Sequence, residues 1–138
     1  TERKKLVSKL DKVFGDYIKA RDNYTCVLCG SKERIQCGHL FTRASYSTRW
    51  NELNAHAQCA SCNMRHEYDF FPFQNWYVKK FSQQNYEDLY FQHKQVVKYK
   101  DWELLDLIDY YKEKLKIKIS KGKKGKQMMA NAFCQWQM

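Results

Sequence analysis

Two Cys-x-x-Cys pairs, Cys26/Cys29 and Cys59/Cys62, constrain this chain more than any other feature of it. Two thiolates at that spacing fit one tight turn, and two such turns brought together close the tetrahedral S4 shell that zinc prefers. The 29 residues between the pairs must then double back on themselves. Gly30 and Ser31 follow Cys29 and Asn63 follows Cys62, residue types that turns use. In a reducing cytosol thiols persist, so metal comes before disulfide. A redox pair is the competing reading, but one motif suffices for that chemistry and two distant ones do not serve it. Cys37 and Cys134 stand apart; Cys37, beside Gly38, reads as a buried strand residue or a weak extra ligand.

Around the cysteines the pattern is mostly helical. Leu6, Leu10, Val13, Phe14, Tyr17 and Ile18 recur at three- and four-residue steps and predict a helix over 5–21, with Lys5, Lys9, Lys12 and Lys19 on its other face. The expected zinc core spans about 24–70. It comprises a zinc turn, a strand over 34–37, a loop to about Trp50, a second extended piece over 54–58, and a helix from Cys62 past His66 toward Asp69. Pro72 marks a break. A helical region over 73–118 follows: an aromatic face at Phe73, Trp76, Tyr77 and Phe81, a helix over 86–97 capped by Asn85, and one over 102–117 capped by Asp101, with Leu104, Leu105, Ile108, Tyr111 and Leu115 as its buried stripe. The fold class expected is α+β, a small zinc-stapled core flanked by helices, in one domain over 1–118. Residues 119–138, with Gly122 and Gly125 among lysines, read as a basic flexible tail.

Charge narrows the partner. Lys and Arg total 25 against 15 Asp and Glu, a formal +10, which suggests a polyanion. No stretch approaches the ~18 apolar residues of a membrane span, so a soluble, cytoplasmic chain without a membrane partner is expected. A zinc with four thiolates has no open position, so any chemistry belongs to neighbouring groups. Those groups are His39, Asn54 and His56 between the pairs and Asn63 and His66 after them. A histidine of near-neutral pKa can take a proton from water, a carboxamide can hold its ring, and side chains on the following helix can bind a hard cation. Taken singly, each is as readily a structural histidine or a turn cap.

The spacing of Cys26-x-x-Cys29, Cys37-Gly38-His39 and Asn54-Ala55-His56-Ala57-Gln58-Cys59-x-x-Cys62-Asn63 resembles the zinc-bearing HNH, or ββα-metal, nucleases. Phe14-x-x-Tyr17-Ile18-x-x-Arg21-Asp22, the Gly38 to Phe41 run with Arg43, and Asn51 to Asn63 look more narrowly like the NinG/Rap phage recombination nucleases. That resemblance implies His39 as general base, Asn54 as its orienting residue, and Asn63 as a ligand of a catalytic Mg²⁺ or Mn²⁺ distinct from the structural zinc; His66, three residues on and on the same helix face, and Asp69 are the further ligands expected. It also implies a homodimer that cuts branched DNA such as Holliday junctions and D-loops. Gly38 departs from the many HNH enzymes that place an acidic ligand directly before the base. Arg43 and Arg49 are expected phosphate clamps, and Lys121, Lys123, Lys124 and Lys126 supply non-specific DNA affinity. One rival reading is a non-catalytic zinc module that binds nucleic acid. Another is a partner-binding protein that docks through the acidic stretch 86–109.

Overall fold

In the computed structural model the backbone is described for residues 1–136 and side chains for residues 1–122. Helix α1 (Glu2–Arg21) starts earlier than the pattern suggests, because the Thr1 hydroxyl accepts from the Lys4 N–H at 3.2 Å and caps it. Strands β1 (Ile35–His39) and β2 (Ala55–Cys59) pair antiparallel, with Cys37 opposite Ala57 and His39 opposite Ala55. Both lie one or two residues later than expected. Between them a one-turn helix, α2 (Tyr46–Arg49), occupies what the sequence suggested was plain loop. Four residues carry too little periodicity to announce a helix.

Helix α3 (Ala60–His66) begins inside the second CxxC, since the Cys59 sulfur accepts the Cys62 N–H at 3.4 Å and acts as its cap. Pro72 opens α4 (Phe71–Lys80) rather than breaking a helix, as its fixed φ and missing N–H suit the first turn. The next helix, α5, spans Gln83–His93 and is capped by Ser82, not Asn85. The Asn85 amide instead donates to the Phe81 carbonyl at 3.2 Å. Helix α6 starts at Asp101 and runs to Trp136, well beyond the expected end at Ile117 and through the stretch taken for a flexible tail. Each interior glycine costs a helix about 1 kcal/mol, which weakens it without ending it. The side chains of Lys123, Lys124, Lys126 and Cys134 lie outside the described residues.

Two apolar clusters hold these elements. In the first, Leu10, Val13, Phe14, Tyr17 and Ile18 of α1 meet Leu104, Ile108 and Tyr111 of α6 together with Trp50 and Ala55. Leu105, expected in this stripe, is about half exposed, and Leu107 packs there instead. The second joins Leu40 and Phe41, just past β1, to Phe73 and Tyr77 of α4 and Leu89 of α5. The hairpin lies between α1, which packs against the Cys37 and Ala55 face, and α3, which crosses the face bearing Gln36 and Gly38. No described helix is long and apolar enough to cross a membrane.

Two adjacent side chains, Arg21 and Asp22, fasten the end of α1 to β2. Arg21 donates to the carbonyls of Glu52 at 2.7 Å and Ala55 at 2.8 Å and to Nδ1 of His56 at 3.0 Å, while Asp22 accepts the Ala57 N–H at 2.8 Å. Replacing Arg21 with alanine leaves these acceptors without their donor. Each lost charged hydrogen bond costs roughly 1–3 kcal/mol. Thermal unfolding of Arg21→Ala is therefore expected to shift down by on the order of 10 °C with helicity retained, and an unchanged midpoint would remove this fastening role.

Candidate functional site

The four CxxC sulfurs are brought together from two separate turns. The first turn is closed by the Gly30 N–H on the Cys26 carbonyl at 2.9 Å, with Gly30 at φ +78°, a conformation that glycine adopts without strain. The ligating atoms of Cys26, Cys29, Cys59 and Cys62 all lie within 4.8 Å of one another, and Cys29 and Cys59 sulfurs are 3.7 Å apart. A tetrahedron with Zn–S bonds of about 2.3 Å has edges of about 3.8 Å, so this donor set fits a structural Zn²⁺. Burial disfavours the Cys26 thiolate, but backbone hydrogen bonds from Cys29, Cys59 and Leu28 outweigh it and bring its pKa down to about 7. Cys37 is not a fifth ligand. Burial pushes its thiol up to about 12, and it packs beside Gly15 of α1.

A cleft of about 690 Å³ opens at the far end of the hairpin, lined by His39, Arg43, Asn63, His66 and Glu67 among others. His39 ends β1, and its Nε2–H donates to the Arg49 carbonyl at 2.9 Å. That bond fixes the tautomer and leaves Nδ1 as the ring's basic atom. Burial, aided by the nearby cations Arg43 and Arg49, lowers the His39 pKa to about 4, so the imidazole is neutral at pH 7.

The ring is held differently from the expectation. Asn54 is fully buried and does not touch it: its Oδ1 accepts the Phe41 N–H at 2.8 Å and its Nδ2 donates to the Phe41 and Thr48 carbonyls. The carboxamide ties together the two ends of the loop between the strands, because that loop's buried backbone groups need partners. Arg49 is corrected as well. Its guanidinium grips Asp11 of α1 at 3.0 and 2.6 Å and donates to the Arg43 carbonyl, so it is no free phosphate clamp. The Trp50 indole N–H joins the same carboxylate at 2.9 Å. Burial opposes the Asp11 charge, but the bonds from Arg49 and Trp50 win and hold its pKa below the usual value. Asp11 thus fixes Arg49, and the Arg49 carbonyl fixes His39. Arg43 remains half exposed, with Asp11 at 3.9 Å.

On α3 the Asn63 Nδ2 donates to Gln36 Oε1 at 2.9 Å, so its Oδ1 is the atom left for a ligand. His66 spends its Nε2–H on the Leu40 carbonyl at 2.8 Å; its Nδ1 is buried without a partner, the ring lying against Phe70 and Phe73. As placed, it braces the chain after β1 and offers no open lone pair to the cleft. Glu67 supplies the cleft's carboxylate, and the sequence reading passed over it. Its position four residues after Asn63, hence on the same helix face, was the available signal. His56 lies outside the cleft, donating to the Leu53 carbonyl and packed among Trp76, Phe73 and Phe81. Lys121 is exposed on α6.

The family model described as "Bacteriophage Lambda NinG protein" matches residues 1–121 of the chain. No curated protein and no solved structure matches it.

Replacement of Cys59 or Cys62 by serine is expected to abolish binding of one zinc per chain by elemental analysis and to unfold the hairpin, since small structural zinc sites contribute on the order of 10 kcal/mol. A variant that keeps metal and melting temperature would refute the four-thiolate site. Acid is the second probe. His39 and His56 both have folded pKa values near 4 against an ordinary 6.5, so between those values the unfolded chain binds more protons. The histidine contribution is complete above pH 6.5 and is lost as pH falls toward 4, by up to about 3 kcal/mol for each ring. Urea unfolding at pH 7 and pH 4.5 should show a smaller acid loss for His39→Ala than for the parent, and equal losses would contradict the buried neutral ring.

Proposed function

Since the chain belongs to the NinG family, we propose that it is a metal-dependent DNA endonuclease of the HNH type, acting as a homodimer on branched recombination intermediates such as Holliday junctions and D-loops. The observation that carries this reading is the His39 ring: neutral, held through Nε2 by a backbone carbonyl, with Nδ1 left as a base in a cleft shared with Arg43, Asn63 and Glu67. His56 and His66 are also held by a backbone carbonyl, but the His56 Nδ1 accepts from Arg21 and the His66 Nδ1 is buried, whereas the His39 Nδ1 is neither bonded nor buried away from the cleft.

Hydrolysis follows from those groups. Nδ1 of His39 takes a proton from a water, the water oxygen forms a bond to phosphorus, and the bond from phosphorus to the 3′ oxygen breaks, the alkoxide taking its proton from solvent. Arg43 neutralises the scissile phosphate. The Asn63 Oδ1 and the Glu67 carboxylate are the oxygen donors that would hold Mg²⁺ or Mn²⁺, a donor set that suits a hard cation keeping most of its waters. Such an ion supplies Lewis-acid stabilisation of the transition-state charge. An anion bound beside His39 counters the burial that depresses its pKa and strengthens it as a base.

Surface charge supports the same substrate. A groove beside α1 is lined by Lys4, Lys5, Lys9, Lys12 and Lys112. It shares Thr1, Lys4 and Ser8 with a second depression that contains Arg43, and Arg43 lines the His39 cleft. These form one basic track that leads to the candidate base.

Purified protein incubated with a four-way junction and a matched duplex, with Mg²⁺, Mn²⁺ or EDTA, tests this directly. Junction cleavage is expected, absent in EDTA, and His39→Ala should cut the rate by about 10² to 10⁴ while zinc content and DNA affinity persist. Parental cleavage by His39→Ala, or junction binding without any metal-dependent cleavage, would replace the enzyme with a binding module.

A further inference from the structure

The corner between α3 and α4 exposes more apolar surface than a soluble fold requires: Tyr68 is 79% exposed, Phe71 66% and Met64 65%. Phe71 also rims a groove of about 490 Å³, which Trp76, Arg65 and Lys79 line and whose far wall is Leu28 and Cys29 of the first zinc turn. His66 lines both this groove and the His39 cleft, so the two adjoin. Asp69, the groove's acid, lies 3.5 Å from Arg65.

We propose that this groove takes an unstacked nucleobase from the DNA strand whose phosphate lies in the neighbouring cleft, an inference that rests on the nuclease reading above. Duplex DNA hides its base faces within the stack and offers nothing for Phe71 to cover. A branch point or a single-stranded end exposes them, and base–aromatic stacking is sequence-tolerant because every base has a π-face. Two cations at the groove meet the adjoining phosphates, a complementarity that an apolar protein partner would not use. The track of lysines binds any DNA, whereas the aromatic corner favours DNA with unpaired bases.

Binding in EDTA tests this independently of cleavage. Phe71→Ala should weaken binding to a forked DNA by about tenfold and leave duplex binding within about twofold, because stacking energy is lost and charge is not. Phe71→Trp should restore the fork preference. Phe91→Ala removes an aromatic 70% exposed that lines none of these grooves, and should change neither affinity. A 2-aminopurine at the fork should lose fluorescence on binding to the parent but not to Phe71→Ala. Equal weakening on fork and duplex, or no weakening on either, overturns the proposal. So does a monomer–dimer shift of Phe71→Ala in sedimentation, which would assign the corner to a second copy of the chain. If fork preference depends on Phe71 while no DNA is ever cut, the base site stands and the nuclease reading falls. Cleavage that depends on His39 with no effect of Phe71→Ala gives the reverse.

Discussion

A hairpin with five residues in each strand does not stand alone in water, and everything proposed for this chain hangs on one. Both of its ends are pinned. At one, Cys59 closes the four-sulfur cluster with the turn that precedes β1 and with the first turn of α3. At the other, Asn54 draws together the chain leaving β1 and the chain entering β2 through bonds to Phe41 and Thr48. Helix α1 then backs the sheet and reaches both sides of it, with Arg21 on the β2 backbone and Asp11 on Arg49 and Trp50. The four-sulfur cluster does not line the cleft; it lies at the end of the hairpin opposite His39.

The division between what the sequence disclosed and what it did not follows the kind of contact involved. Thiolate pairs and stripes such as Leu10, Phe14 and Ile18 announce themselves, because metal geometry and helical period leave fixed intervals. The role of Arg49 leaves none. Its guanidinium meets a carboxylate 38 residues away and its contribution to His39 is a backbone carbonyl, which every residue type carries alike. Spacing singles out Asn54 without naming its partners, which are Phe41 and Thr48 and not His39, since an interval tells where a carboxamide lies and not what it bonds. Local signals can also point two ways. Pro72 ends one helix pattern or begins another, and only the packing of Phe73 and Tyr77 on Leu40 and Phe41 decides it.

The basic balance acquires meaning from where the acids go. Asp11, Asp16, Asp22, Glu52 and Asp69 each pair with a cation, and Glu52 grips Lys114 at 2.8 Å to tie α6 to the loop before β2. Lys4, Lys9 and Lys112 have no ion pair among the described residues and line the groove beside α1. Part of the surplus thereby lies along that groove. Exposed pairs contribute little to stability, so under the nuclease reading this arrangement would act chiefly on association with DNA.

Gly38 shows how the fold limits the chemistry open to it. A Cβ at this position would overlap the Gln58 Oε1 and lie 3.1 Å from the Asn63 Oδ1. Gln58 is fully buried, and neither of its carboxamide atoms finds a partner among the described residues. A carboxylate directly before His39 would thus require Gln58 to move. Under the nuclease reading, the cation's protein oxygens must come from α3, from Asn63 and one turn later Glu67. A site with one carboxylate binds Mg²⁺ weakly by itself and fills its shell with water and substrate phosphate. Metal and DNA would then assist each other's binding, so that DNA lowers the concentration of metal required for occupancy.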